Sequence, residues 1–201
     1  MRILAFSDLH CDRSKAAELA SRAADFDVVI GAGDFASQHE GLEATIDALA
    51  SIETPTLLVP GNNETEEALR SAAEGWTAAT VLHGTGVEID GVGFFGLGAG
   101  VPTTPWDWSF DLSEEQAARS LAPCPEGGVL ILHSPPLGHC DRSSAGTSLG
   151  SEAIAAAIAA KRPELALCGH IHEAWGERST LGVSTVANLG PDGAEFEIEP
   201  R

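Results

Sequence analysis

Five short segments of the chain carry side chains suited to holding metal ions. They are Asp8-Leu9-His10, Gly33-Asp34, Gly61-Asn62-Asn63, His133 and Gly169-His170-Ile171-His172. Taken singly, most are weak signals. Asp-x-His also occurs as a helix cap, Gly-Asp as a turn, and a lone strand-end His as a satisfied histidine. Gly-His-Ile-His is the most specific block, because two His at i and i+2 after a buried strand rarely serve another purpose. Together the segments offer carboxylate, imidazole and amide donors. Hard carboxylate oxygens neutralise a pair of dications, and imidazoles suit Mn, Fe or Zn. With one carboxylate bridging, two ions about 3.5–4 Å apart acidify a bound water and clamp the attacking and leaving oxygens at phosphorus. The array therefore points to metal-assisted hydrolysis rather than to a binding module.

The segments that must position these residues alternate between strand and helix patterns. Arg2–Ser7 is a strand-like apolar run leading into Asp8. Ser14–Ala24 reads as a helix capped by Ser14. Val28–Gly31 and Thr56–Val59 read as buried strands, Leu42–Ser51 as a helix, and Glu64–Ala73 as a helix with an acidic first turn suited to the dipole. This is a parallel βαβ pattern. Parallel strands end along one edge, where open α/β sheets bind ligands, so side chains distant in sequence can converge there. Glycines 33, 61 and 169 would let the backbone turn sharply beside each ligand.

The second half has shorter strands at Val81–Leu82, Gly86–Ile89 and Gly91–Gly96, with Asp90-Gly91 as a hairpin turn. Ser113–Leu121 and Ser151–Lys161 read as helices. Val129–His133, Leu165–Cys168, Val183–Ala187 and Ala194–Ile198 read as strands. Residues 1–201 are expected to form a single α/β domain with a mixed sheet or two sheets. Two irregular stretches, Gly98–Asp111 and His133–Gly150, are long enough to be functional loops.

Composition narrows the function classes. The 201 residues are 43% apolar, enough for one sizeable core. No apolar run reaches about 18 residues, so no membrane span is expected. The N-terminus lacks the pattern of a secretory signal. Cys11, Cys124, Cys140 and Cys168 show no CxxC spacing and read as reduced thiols, which places the chain in the cytoplasm. With 30 acidic and 11 basic residues, the net charge is −19. Such a field repels duplex nucleic acid but not a small phosphate ester held by metal ions. It also suits a salt-rich cytosol. The oligomeric state is left open.

The order D-x-H, G-D, G-N-x, H, G-H-x-H over residues 3–172 resembles the calcineurin-like metallophosphoesterase superfamily. The resemblance implies a four-layer α-β-β-α sandwich, two mixed β-sheets flanked by helices. It implies that Asp8, His10 and His172 hold one divalent ion, that Asn62, His133 and His170 hold a second, and that Asp34 bridges both. Mn²⁺ is the expected metal, with Fe, Zn, Ni, Co or Mg as alternatives. Leu132–Gly138 and Gly169–Gly176 look closer still to the brain-type metallophosphoesterase-domain proteins and their microbial relatives. That implies small phosphodiester substrates, cyclic nucleotides among them, hydrolysed by a metal-bridging hydroxide. A non-catalytic metal-binding scaffold, a phosphomonoesterase and a nuclease of the same superfamily are the alternatives.

Asn63 departs from the pattern. The resemblance implies a His there, contacting phosphate and protonating the leaving oxygen. Asparagine donates hydrogen bonds but supplies no proton at neutral pH. General acid catalysis contributes about 10²–10⁴-fold, so good leaving groups are expected unless another acid substitutes. His139 and His39 are the candidates, both in loops that follow metal-type segments. Trp106 and Trp108 either stack on a base or aryl group or anchor their loop. Asp141 and Arg142 read as a surface ion pair, His83 as structural, and Glu64 as a helix-dipole residue near enough to support His10 or Asn62.

Overall fold

Side-chain alternation along the strands generates the layers of the protein. The computed structural model describes residues 1–199. In β1 (Arg2–Phe6), Ile3 and Ala5 join one apolar cluster while Leu4 and Phe6 join another. In β2 (Val28–Ala32), Val28, Ile30 and Ala32 face the first cluster and Val29 the second. In β3 (Thr56–Val59), Leu57 and Val59 again face the first and Leu58 the second. Both faces of these strands are buried, so the sequence shows near-continuous apolar runs.

The second cluster is closed by three helices, α1 (Arg13–Arg22), α2 (Leu42–Leu49) and α3 (Glu66–Ala72). They contribute Ala16, Leu19, Leu42, Ile46, Leu49 and Leu69. The first cluster lies between two sheets. Its other wall carries Phe94 from β6 (Val92–Leu97), Val129 and Ile131 from β7 (Val129–Leu132), and Leu165 and Leu167 from β8 (Leu165–Cys168). The alternate residues of these strands, Phe95, Leu97, Leu130, Leu132, Ala166 and Cys168, meet α4 (Glu114–Leu121) and α5 (Glu152–Lys161). The result is helix, sheet, sheet, helix, as the resemblance implied.

Adding β4 (Ala79–Val81), β5 (Thr85–Ile89), β9 (Arg178–Leu181), β10 (Ser184–Asn188) and β11 (Ala194–Glu197) completes the sheets. Their orders are β11-β1-β2-β3-β4 and β5-β6-β7-β8-β10-β9. Both are mixed: β11 is antiparallel to β1, and β5 and β9 are antiparallel to their neighbours. Asp90 and Gly91 turn the β5–β6 hairpin with φ of 48° and 80°, the left-handed pair that a two-residue loop requires. Strand β9 (Arg-Ser-Thr-Leu) was not expected; it is a half-exposed edge strand with little apolar content.

Two helix starts differ from expectation, both for capping reasons. Helix α1 is capped by Asp12, whose Oδ1 accepts from the Ser14 and Lys15 amides, both at 3.0 Å. Ser14 lies inside the helix. Helix α3 is capped by Thr65, which accepts from the Ala68 amide at 3.1 Å. Glu64 therefore lies outside the helix and its carboxylate is free to turn inward. Among the described residues no helix is long and apolar enough to cross a membrane, and all four cysteines are unpaired.

Candidate metal centre

The loops leaving β1, β2, β3, β7 and β8 bring the expected donor atoms into two adjoining groups. In one, His10 Nε2 lies 3.1 Å from His172 Nε2, and His172 Nε2 lies 3.8 Å from Asp8 Oδ1. In the other, Asn62 Oδ1 lies 3.1 Å from His133 Nε2 and 3.0 Å from His170 Nδ1. Asp34 faces both. Its Oδ2 is 3.5 Å from His10 Nε2 and its Oδ1 is 3.4 Å from His133 Nε2. Within each set, Asp8-His10-His172 and Asp34-His133-His170, one donor atom per residue falls within 4.8 Å of the others.

The donor chemistry fits two divalent cations. His10 donates Nδ1–H to the Ala36 carbonyl at 3.2 Å, and His133 does the same to Ala32 at 2.9 Å. Each bond fixes the tautomer that leaves Nε2 available to a metal once it is deprotonated. Charge in the cluster is balanced closely. Burial opposes ionisation of Asp34, but His133, His10 and the Asn63 amide outweigh it and hold the carboxyl well below its usual range. Burial also disfavours charge on His133, yet Asp34 and Asp8 push it up to about 9. Burial and then His133 drive His170 down to about 3. A proton on His133 thus supplies the positive charge that the buried carboxylates demand, and a metal must displace it.

Supporting residues hold each donor in place, and several were not legible in the sequence. Glu64 is fully buried; burial first and then Asp34 push its carboxyl up to about 7. Its Oε1 accepts from the amides of Asp34 (2.9 Å) and Gly61 (2.6 Å), and its Oε2 from Ala36 (2.9 Å). It therefore ties together the turns carrying Asp34 and Asn62, rather than touching His10. Asn188, at the end of β10, donates Nδ2 to the Cys140, Gly169 and Ile171 carbonyls, each at 3.1 Å, and so fixes the turn bearing His170 and His172. Trp175 donates Nε1–H to Asp8 Oδ2 at 3.1 Å, and its ring lies 4.4 Å from that of His172. Asn62 donates Nδ2 to Ser109 Oγ at 3.0 Å, and Ser109 donates to Asp111 at 2.7 Å. That relay turns the amide oxygen of Asn62 toward the two histidines. The turns are too tight for side chains: a Cβ at Gly61 would overlap Asp34 Oδ1, and one at Gly169 would overlap Asp8 and Ser7.

Asn63 lies in the cleft beside this centre, but its side chain is committed. Nδ2 donates to Asp34 Oδ2 at 2.7 Å and Oδ1 accepts from the Gln38 amide at 2.8 Å. The substitute acids are not in the cleft. The turn at Gly138 directs His139 toward β9, where its Nδ1 pairs with Ser179 Oγ at 3.1 Å. His39 pairs instead with the Trp108 carbonyl, while its neighbours Ser37 and Gln38 line the cleft. The His39 amide also donates to the Asn63 carbonyl at 2.8 Å. Asp141 and Arg142 are not an ion pair. Asp141 is buried and accepts from the Gly138 and Gly150 amides, and Arg142 donates to the Gly146 carbonyl. His83 is structural as expected, accepting from the Gly98 amide at 3.2 Å.

Residues 1–198 match the model of the calcineurin-like phosphoesterase superfamily domain. The chain belongs to this superfamily. Two Caenorhabditis elegans relatives are similar to it. UPF0046 protein K07C11.7 is 28% identical over 196 residues, covering 88% of this chain and 67% of that protein. UPF0046 protein T07D4.2 is 32% identical over 114 residues, 53% of this chain and 27% of that protein, so the match spans about a quarter of its length. Among solved structures, TT1561 of Thermus thermophilus superposes with a TM-score of 0.71 at 18% identity, covering 95% of this chain and 90% of that one. A dimetal phosphatase from Danio rerio gives 0.63 at 13%, covering 95% and 88%. These likenesses are of fold. Superfamily membership and the two donor groups together point to a dinuclear metal site.

Two outcomes follow from the supporting contacts. Glu64→Gln places an NH₂ group against backbone donors and should lower stability by about 1–3 kcal/mol. Chemical denaturation checks this. Trp175→Phe should weaken metal binding by about tenfold, since outer contacts to ligands typically contribute 10–100-fold. Calorimetric titration with Mn²⁺ measures the loss, and a metal-induced change in tryptophan fluorescence should shrink in the same variant.

Proposed function

We propose that this protein is a two-metal phosphodiesterase acting on small phosphodiesters, with Mn²⁺ as its favoured ion. The observation that carries the reading is Asp34, whose two oxygens face separate donor groups across a distance of 3.4–3.5 Å to each imidazole. Asp8, His10 and His172 would hold one ion, Asn62, His133 and His170 the other, and Asp34 both. Two divalent ions held there would supply a nucleophile available near neutral pH and charge neutralisation for phosphoryl oxygens. The dimetal phosphatase from Danio rerio shares the fold and supports the two-metal reading.

The chain's own residues favour a diester. No lysine or arginine lines the cleft among the described residues. A monoester dianion would lack cationic side chains to offset its second charge, whereas a diester carries one charge. The net charge of −19 further disfavours a duplex nucleic-acid substrate. Asn63, whose amide is bonded to Asp34 and to the Gln38 amide, cannot protonate a leaving oxygen. Cyclic nucleotides are among the small diesters consistent with these constraints. A non-catalytic scaffold would be marked by missing donors, and none of the expected donors is missing.

Bis-p-nitrophenyl phosphate should be hydrolysed with Mn²⁺ and not with EDTA. Asp34→Asn should reduce turnover by more than about a hundredfold, beyond the usual effect of losing an outer contact. Absence of Mn²⁺-dependent turnover would overturn the enzyme reading. In a series of phosphodiesters with leaving groups of rising pKa, the rate should fall steeply. A flat series would show that a general acid operates after all.

A further inference from the structure

We propose that Trp106, Trp108 and Leu149 form a subsite for a planar apolar group, an aryl ring or nucleobase, carried by the phosphate ester. The proposal rests on the phosphoesterase reading of the adjacent centre and names the class of substituent it selects. These three residues line the same cleft of about 750 Å³ as His10, Asp34, Asn62, His170 and His172. The phosphate-binding end and the apolar wall are therefore one continuous space.

Exposure distinguishes a binding role from loop packing. A tryptophan that merely anchored a loop would be buried, yet Trp106 is 50% exposed and Leu149 46%. The two indoles are already stacked, with centroids 5.5 Å apart and planes 12° from parallel. Each covers one face of the other, so the outer face of the pair, at the exposed Trp106, is the surface on which a further ring can stack. Leu149 comes from the other long loop, so two separate segments place apolar surface at this end of the cleft.

The loop that carries the indoles is tied down by hydrogen bonds of its backbone. Asp111 Oδ2 accepts from the Thr104 amide and hydroxyl at 2.7 and 2.8 Å. The Phe110 amide donates to the Asn62 carbonyl at 2.9 Å, and the His39 ring donates to the Trp108 carbonyl. Because Asn62 also reaches Asp111 through Ser109, the loop that carries the tryptophans is registered directly to a candidate metal ligand. The spacing between phosphate and ring is set by that registration.

Charge defines the rest of the ligand. Apart from the residues of the centre, the ionisable group in the lining is Glu173, with no lysine or arginine. A second phosphate would meet no cation, so the group on the indoles carries no negative charge.

Calorimetry on the Mn²⁺-loaded protein tests this with the monomethyl esters of phenylphosphonate, methylphosphonate and adenosine 5′-phosphate, each a monoanion like a diester and each named below by its parent acid. Phenylphosphonate should bind at least about fivefold more tightly than methylphosphonate, the lower end of a stacking contribution. Trp106→Ala should bring that ratio close to one, and Trp106→Phe should restore most of it. Equal binding of the two phosphonates, or a ratio unchanged in Trp106→Ala, would overturn the subsite and leave the phosphoesterase reading intact. Failure of both phosphonates to bind would overturn that reading, and the subsite with it. Adenosine 5′-phosphate tighter than phenylphosphonate, with the same loss in Trp106→Ala, identifies a nucleobase. Weaker or equal binding identifies a simple aryl group.

Discussion

Burying several carboxylates and imidazoles at one point is possible here because each is held by the backbone of a neighbouring turn. Glu64 is the clearest case. An isolated buried carboxylate is costly, and this one is offset by three amides drawn from two different turns. Those turns are the ones that present Asp34 and Asn62. If the carboxylate were lost, the Asp34, Ala36 and Gly61 amides would be left without acceptors in a dry interior. The geometry of the candidate centre and the local stability of the fold are thus the same set of bonds.

The same mutual support explains the unusual backbone around the centre. Asp8, His10, Asp34 and His170 all have positive φ, between 43° and 69°. Such conformations cost on the order of 1–3 kcal/mol each for residues with side chains. They persist because the turns bond to one another: the Asp8 amide to Gly33, the His10 amide to Asp34, and the Gly169 amide to His133. Each turn is strained alone and satisfied in company. A residue continuing in extended conformation would put its side chain on one face of the sheet; the left-handed turn departs from that alternation at the strand end.

The donors themselves were legible because their types are restrictive and their spacing follows strand ends. Asp8, His133 and the Gly-His-Ile-His block needed only recognition of a strand followed by a sharp turn. The sandwich layers were legible for a similar reason, since strands buried on both faces leave continuous apolar runs such as Val-Leu-Ile-Leu at 129–132. The supports were not. Nothing about Asn188 in sequence distinguishes three bonds to distant carbonyls from a solvated strand end, and Trp175 reads equally well as packing. Glu64 misleads because an acidic run before a helix satisfies the dipole rule. Only the Thr65 cap shows that the helix starts after it. His139 shows the converse limit: proximity in sequence to a metal-type segment does not fix the direction of a side chain, and here the turn at Gly138 sends the imidazole toward Ser179.

At Asn63 these constraints meet. A histidine at this position could rotate toward a substrate, whereas the asparagine amide is pinned at both ends, to Asp34 and to the Gln38 backbone. Asn63 therefore acts as a brace between Asp34 and the Gln38 backbone. The brace holds the Asp34 carboxylate through Oδ2, while Glu64 holds its backbone amide. Under the proposed function, a site without a proton donor at this position would need leaving groups that depart unaided, and those are often aromatic. The exposed indole platform in the same cleft matches that chemical demand. The residue missing from the motif and the apolar wall beyond it are consistent with one kind of ester.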